Sequence, residues 1–193
     1  VGDIRYIYSC RFNKLDTTRQ RLNGLDVLWE FAPHDLSMVI GLIGDHYQET
    51  NMKIHKLGIR SIHLKYHNTL SVDIDVSWHY THKEQKFIVS GTKGFIIFDD
   101  CQPWDKKLQY YAPHPEWTKN DMLPDLSDVT YLPFDTYEPL REECNHFIQC
   151  IKKNSQPLTN GQEGLQVVKA IEGLTKNMNV SNCKEAIPDE QTH

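Results

Sequence analysis

A chain of 193 residues, 39% hydrophobic and 24% charged, has the composition of one soluble α+β unit with a real core, not of a disordered or fibrous protein. Its formal net charge of -5, with no stripe of Lys and Arg, argues against a nucleic-acid partner, which needs basic groups gathered on one face. The longest apolar run, near Met38 to Ile43, is too short for a membrane span, and no leader-like segment opens the chain, so a cytoplasmic protein is expected.

From Asp3 to Phe12 the residues Ile4, Tyr6, Tyr8, Cys10 and Phe12 fall on alternate positions, the period of a half-buried strand. Asn13 to Asp26 is polar and reads as a loop carrying Arg19, Arg21 and Asn23. From Val27 to Ile43, Leu28, Phe31, Leu36, Val39, Ile40 and Ile43 recur at helical spacing and Gly44 gives a stop signal. Pro33 sits inside this span, so the regular helix is expected to begin there after a distorted turn. Leu70, Val72, Ile74, Val76, Trp78 and Tyr80 alternate with polar residues, the clearest strand signal in the chain.

Lys86 to Ser90, Phe95 to Phe98 and Leu108 to Tyr111 supply further strands, with Gly91 to Gly94 as a hairpin turn. Ala112 to Tyr137 is broken by four prolines and reads as an irregular excursion with a short strand near Val129 to Leu132. Two helices follow. Leu140, Cys144, Phe147, Ile148 and Ile151 line one face of the first; Asn160 and Glu163 resemble a capping box for the second, whose Leu165, Val168, Ile171 and Leu174 face inward. Both helices are expected to pack on the sheet. The resulting fold class is α+β: an open, mostly antiparallel sheet with helices on one face, over residues 1 to 178, followed by a polar tail over 179 to 193.

The five cysteines, Cys10, Cys101, Cys144, Cys150 and Cys183, form no C-x-x-C pair and read as reduced, mostly structural thiols. His63, His67, His79 and His82 could converge across strands, but no cysteine or carboxylate completes a familiar spacing, so solvated strand edges fit better than a metal site. If the helix runs through Leu28 to Asp35, Glu30 and His34 share one face at i and i+4, where the carboxylate could fix the imidazole tautomer and make a general base. The same spacing also fits a helix turn whose Glu and His only satisfy backbone donors.

Four segments in order resemble the C-terminal domain of the Gfo/Idh/MocA oxidoreductases: IRYIYSCRFN, VLWEFAPHDLSMVIGLIG, SWHYTHKEQKFIVSGTKGFIIFDD and EPLREECNHFIQCIKKNSQPLTNGQEGLQVVKAIEGL. Within that family, KEQK at Lys83 to Lys86 and Phe98-Asp99-Asp100 look most like dehydrogenases acting on the C3 hydroxyl of UDP-N-acetyl sugars or their uronates. The resemblance implies that His34 sits beside the reacting hydroxyl, sharing proton transfer with a lysine of another domain while hydride passes to NAD or NADP. Glu30 stands where an aspartate is usual, which bears on how His34 is oriented. Arg11, Asn13 and Arg21 are candidate substrate contacts, since guanidinium forks suit a diphosphate; solvated surface charge is the equal alternative.

None of the ten glycines forms the G-x-G-x-x-G turn of a dinucleotide-binding unit, and the family's Glu-Lys-Pro segment is missing. The chain also starts at Val1 and not Met, so an upstream segment is expected to have been removed or left out. By itself it is expected neither to bind NAD nor to turn over. The expected partners are a nucleotide sugar, the missing N-terminal Rossmann domain, and further copies of the chain through the open sheet face carrying Ser71, Asp73, Asp75 and Ser77. The alternatives are a non-catalytic assembly module or a stand-alone sugar-binding protein.

Overall fold

The structure is a computed structural model describing residues 1–14, 26–67, 69–112 and 129–181. Its eight described strands are β1 (Ile4–Lys14), β2 (Glu49–Ile54), β3 (Arg60–Lys65), β4 (Ser71–Tyr80), β5 (Glu84–Gly91), β6 (Gly94–Asp99), β7 (Leu108–Tyr111) and β8 (Val129–Tyr131). The helices are α1 (Val27–Ile43), α2 (Pro139–Lys153) and α3 (Gly161–Ser181). One sheet runs β2-β3-β4-β1-β5-β6-β7-β8. Only β1 and β4 pair in parallel, because α1 carries the chain back across the sheet before β2 and β3 turn it round again. Every other pairing is antiparallel.

Strand alternation divides the sheet into two faces. Ile7, Ile62, Leu64, Val72, Ile74 and Val76 lie on the inner face, where they meet Leu28, Leu36 and Val39 of α1 and Ala170, Ile171 and Leu174 of α3. The outer face carries no helix among the described residues. No described helix is long and apolar enough to cross a membrane.

α1 begins at Asp26, whose side chain accepts the Leu28 N–H at 3.0 Å, and ends at Gly44, whose φ of 80° lets the chain turn away. Tyr66 Oη donates to the Gly44 carbonyl at 2.9 Å, fastening this end to the strand side. The helix runs unbroken through Pro33 instead of starting there. An interior proline costs about 3 kcal/mol, but Leu28, Phe31, Ala32, Leu36 and Val39 are buried on both sides of it. At about 1.5–3 kcal/mol for each large apolar side chain, their burial outweighs the break.

Asn13 and Lys14 extend β1 and are not loop residues, and α3 continues through Ser181, three residues into the stretch expected to form the tail. β2 and β3 are absent from the sequence-based reading: ETNMKI has only Met52 and exposed Ile54 as apolar residues, and RSIHLK buries only Ile62 and Leu64. Of the two closing helices, α3 packs against α1 and β2. The expectation fails for α2, in which no residue is buried. Four described cysteines are free thiols, yet only Cys10 is buried, so most are not structural.

Candidate functional site

Alternation along β1 turns Ile7, Ser9, Arg11 and Asn13 toward α1 and Tyr6, Tyr8, Cys10 and Phe12 to the outer face. Above Ser9 and Arg11 lies Asp35, 1% exposed and on the same arc of α1 as Phe31, Ala32 and Leu36. A carboxylate buried in that arc needs donors. Ser9 Oγ donates to Asp35 Oδ1 at 2.6 Å, Arg11 Nε to Oδ2 at 2.8 Å and Arg11 Nη2 to Oδ1 at 3.3 Å. This charge-assisted fork fixes both the rotation and the axial position of α1 over β1.

The consequence falls on the neighbouring residue. With Asp35 pinned inward, His34 is exposed and Glu30, one turn earlier, is half-buried on the same outer side of α1. Ser37 Oγ donates to the His34 carbonyl at 2.9 Å. One and two turns beyond His34, Ser37 and Gly41 border a cavity of about 820 Å³ between α1 and the first turns of α3, lined on the α3 side by Asn160, Glu163 and Gly164. Asn160 Oδ1 caps α3 by accepting the backbone N–H groups of Gln162 and Glu163 at 2.9 and 3.1 Å.

Four of the five residues singled out from sequence, Arg11, Asn13, Glu30 and His34, therefore belong to β1 and α1 around the Asp35 anchor. Arg21 lies outside the described residues, as do Arg19 and Asn23. Arg11 is not a free fork: Nε and Nη2 are engaged by Asp35. Sequence reasoning missed Asp35 and Ser9 as anchors. The signal was present, because Asp35 falls among the apolar positions of α1 and a charge there demands a partner.

The outer face holds a second polar constellation. Tyr6 Oη donates to Asp73 Oδ2 at 2.9 Å and Tyr8 Oη to Asp75 Oδ2 at 3.1 Å, while Ser61 Oγ bonds Asp75 and His63 Nδ1 lies 2.7 Å from Asp73 Oδ1. Burial, reinforced by the adjacent Asp73 and Asp75 carboxylates, raises both tyrosine pKa values and keeps the phenols protonated as donors. The network ties β1, β4 and β3 together. Ser77 lies opposite Phe12 on this same face but is fully buried, and its Oγ accepts the His79 N–H at 3.0 Å.

The sheet histidines are dispersed, His63 beside Asp73, His79 against Gly58 and His82 beside Glu84. No group of three metal-ligating side chains converges among the described residues. Lys86 is held by Glu84 at 2.7 Å, and that hydrogen bond raises its pKa. Gly91 and Gly94 close an antiparallel hairpin, where a Cβ on Gly94 would strike the Tyr111 carbonyl.

The open, mostly antiparallel sheet with α1 and α3 packed on one face is an α+β architecture. Residues 8–183 match the family described as "Oxidoreductase family, C-terminal alpha/beta domain", and the chain belongs to this Gfo/Idh/MocA family. No curated protein matches it in sequence. Among solved structures it is similar to UDP-N-acetylglucosamine 3-dehydrogenase from Acidithiobacillus ferrooxidans, at 15% identity and a TM-score of 0.73, covering 90% of this chain and 54% of that one. It is also similar to aldose-aldose oxidoreductase from Caulobacter crescentus complexed with glycerol (16%, TM-score 0.71, 94% and 55% covered). A third is a 3-ketoreductase from Actinomadura kijaniata in complex with NADP (8%, TM-score 0.66, 91% and 52%). The chain thus spans about half the length of these relatives.

Proposed function

We propose that this chain is the substrate-binding half of a cytoplasmic NAD(P)-dependent sugar oxidoreductase, acting on the C3 hydroxyl of a UDP-N-acetyl sugar or its uronate. The observation that carries this reading is the outward presentation of Glu30 and His34 on a helix whose setting is locked by the buried Asp35, Ser9 and Arg11 cluster. A neutral imidazole in that position can accept the proton of a sugar hydroxyl, and a carboxylate one turn away can orient it. Family membership supports an oxidoreductase, and the sugar substrates named for solved relatives support the substrate class. Arg11, Asn13 and Arg21 are assigned to the nucleotide diphosphate, and NAD or NADP to a separate Rossmann domain.

The test uses the longer protein that carries the cofactor domain. His34→Ala should lower kcat by about 10²–10⁴-fold, the usual worth of a general base, and Arg21→Ala should raise KM for the nucleotide sugar. Full activity of the His34→Ala enzyme would overturn the catalytic assignment.

A second reading, a module that pairs copies of the chain through the sheet, is favoured by the bare outer face. There the Tyr6-Asp73-His63 network continues into Phe95 stacked on Tyr111 and into exposed Tyr131. The two readings are compatible, and only the loss of all oxidoreductase activity in the longer protein would leave the module alone.

A further inference from the structure

The cavity between α1 and α3, about 820 Å³, has the size of a small-molecule site. Helical spacing places Ser37 and Gly41 on the arc of Glu30 and His34, so the α1 wall of the cavity prolongs that side of the helix. Its apolar lining includes buried Ile40 and Val167. Gly41 and Gly164 stand in the two helix walls, and a Cβ on either would meet no atom within 4 Å. A glycine inside a helix is destabilising relative to alanine, so both walls stay open at a cost in stability.

The polar lining has a definite sign. Glu163 and Gln166, one turn apart on α3, are half-buried in this wall, and among the described residues neither side chain makes a hydrogen bond or ion pair. A half-buried carboxylate without a donor carries a desolvation cost that a ligand N–H or O–H would relieve. Asp45 adds a second carboxylate, with His46 Nδ1 3.5 Å from its Oδ1. No lysine or arginine lines the cavity, and Asn160 already occupies the Gln162 and Glu163 N–H groups through which the start of α3 could have received an anion. An acidic wall beside apolar surface suits a ligand that carries an amine and hydroxyl groups, and repels one that carries a carboxylate or phosphate.

We infer that this cavity binds a small polyol bearing an ammonium group, with Glu163 as its charge partner. The site lies beside the Glu30 and His34 pair but shares no residue with it. It goes beyond the functional reading above and does not depend on which sugar His34 serves.

Glucamine, sorbitol and gluconate share one carbon skeleton that ends in an ammonium, a hydroxyl or a carboxylate, and they test the assignment on the 193-residue chain. At about pH 7, where an alkyl ammonium is charged and a carboxylate ionised, glucamine should shift the Gly41 and Gly164 amide resonances saturably in the millimolar range. Sorbitol should bind at least about tenfold more weakly, the scale of one charge-assisted hydrogen bond, and gluconate not at all. Glu163→Gln should weaken glucamine binding by about tenfold or more. Gly164→Leu fills the cavity while favouring the helix, and should abolish binding without lowering the urea midpoint. His34→Ala should leave glucamine binding unchanged, which separates this site from the catalytic assignment. No saturation by glucamine, equal binding of glucamine and gluconate, or full glucamine affinity in both the Glu163→Gln and Gly164→Leu chains would overturn the inference. Loss of glucamine binding in the His34→Ala chain would also overturn it, by putting the probe in the His34 site.

Discussion

Asp35 presents its charge to Arg11 inside an otherwise apolar contact between α1 and β1. Asp35→Asn keeps the shape but leaves the guanidinium without its counter-charge. The expected loss is about 2–4 kcal/mol in urea unfolding, below the fully buried range because Arg11 keeps some surface in water. Replacing both partners, Asp35→Leu with Arg11→Met, should cost less than the single change, since no lone charge remains. A double variant less stable than Asp35→Asn would contradict this account of the cluster.

Tyr66 and Cys10 give the alkaline response a defined sign. Burial raises Tyr66 from 10.0 to about 12, with smaller help from Tyr47 and Asp45, and raises Cys10 from 9.0 to about 11, with Glu84 adding to it. Their folded pKa values lie above the unfolded ones, so their contribution is intact below pH 9 and drains away as pH rises from about 9 to about 12. Urea midpoints should therefore fall across that window, and Tyr66→Phe should flatten the upper part of the fall. The same variant should cost about 1 kcal/mol near neutrality through the lost hydrogen bond to the Gly44 carbonyl. A thiol reagent should reach exposed Cys101 and Cys144 in the native chain and Cys10 only on unfolding.

At the level of elements, α1 and α2 look alike in sequence and behave oppositely. Each has a clean apolar stripe, but only α1 finds the sheet. Leu36→Ala should cost about 2–5 kcal/mol because Leu36 is fully enclosed. Ile151→Ser should change the unfolding free energy of the isolated chain, read from urea titration, by less than about 0.5 kcal/mol. A large loss at Ile151 would mean that α2 belongs to the core after all.

These two helices also mark what was legible in advance. Strong periodicity located β1, α1, β4, the β5–β6 hairpin and both closing helices, because burial on one side writes its period into the residues. Periodicity says that a face is apolar and not what covers it, so the stripe of α2 reads the same as one packed on the sheet. β2 and β3 escaped because a short edge hairpin buries too few side chains to leave a pattern. Glu30, His34 and Arg11 stood out by residue type and spacing; the partnership of Arg11 with Asp35 needed the fold, since 24 residues of chain separate them.

For the whole molecule, Arg11 and Asn13 lie on the inner face of the sheet and Glu30 and His34 on the outer side of the α1 helix that crosses it, while the outer sheet face carries no helix among the described residues. Self-association through the outer face should appear in light scattering as a dimer or larger species, and Tyr131→Glu should weaken it. A monomer at high concentration would remove the sheet face as an interface.

Isothermal titration of the isolated chain against UDP-N-acetylglucosamine and, separately, NADH bears most directly on a substrate half without its own cofactor site. The account predicts saturable binding of the nucleotide sugar, weakened at least about tenfold by Arg11→Ala, a loss on the scale of one charge-assisted hydrogen bond, and no binding of NADH. Measurable NADH affinity, or no response to any nucleotide sugar, would contradict it.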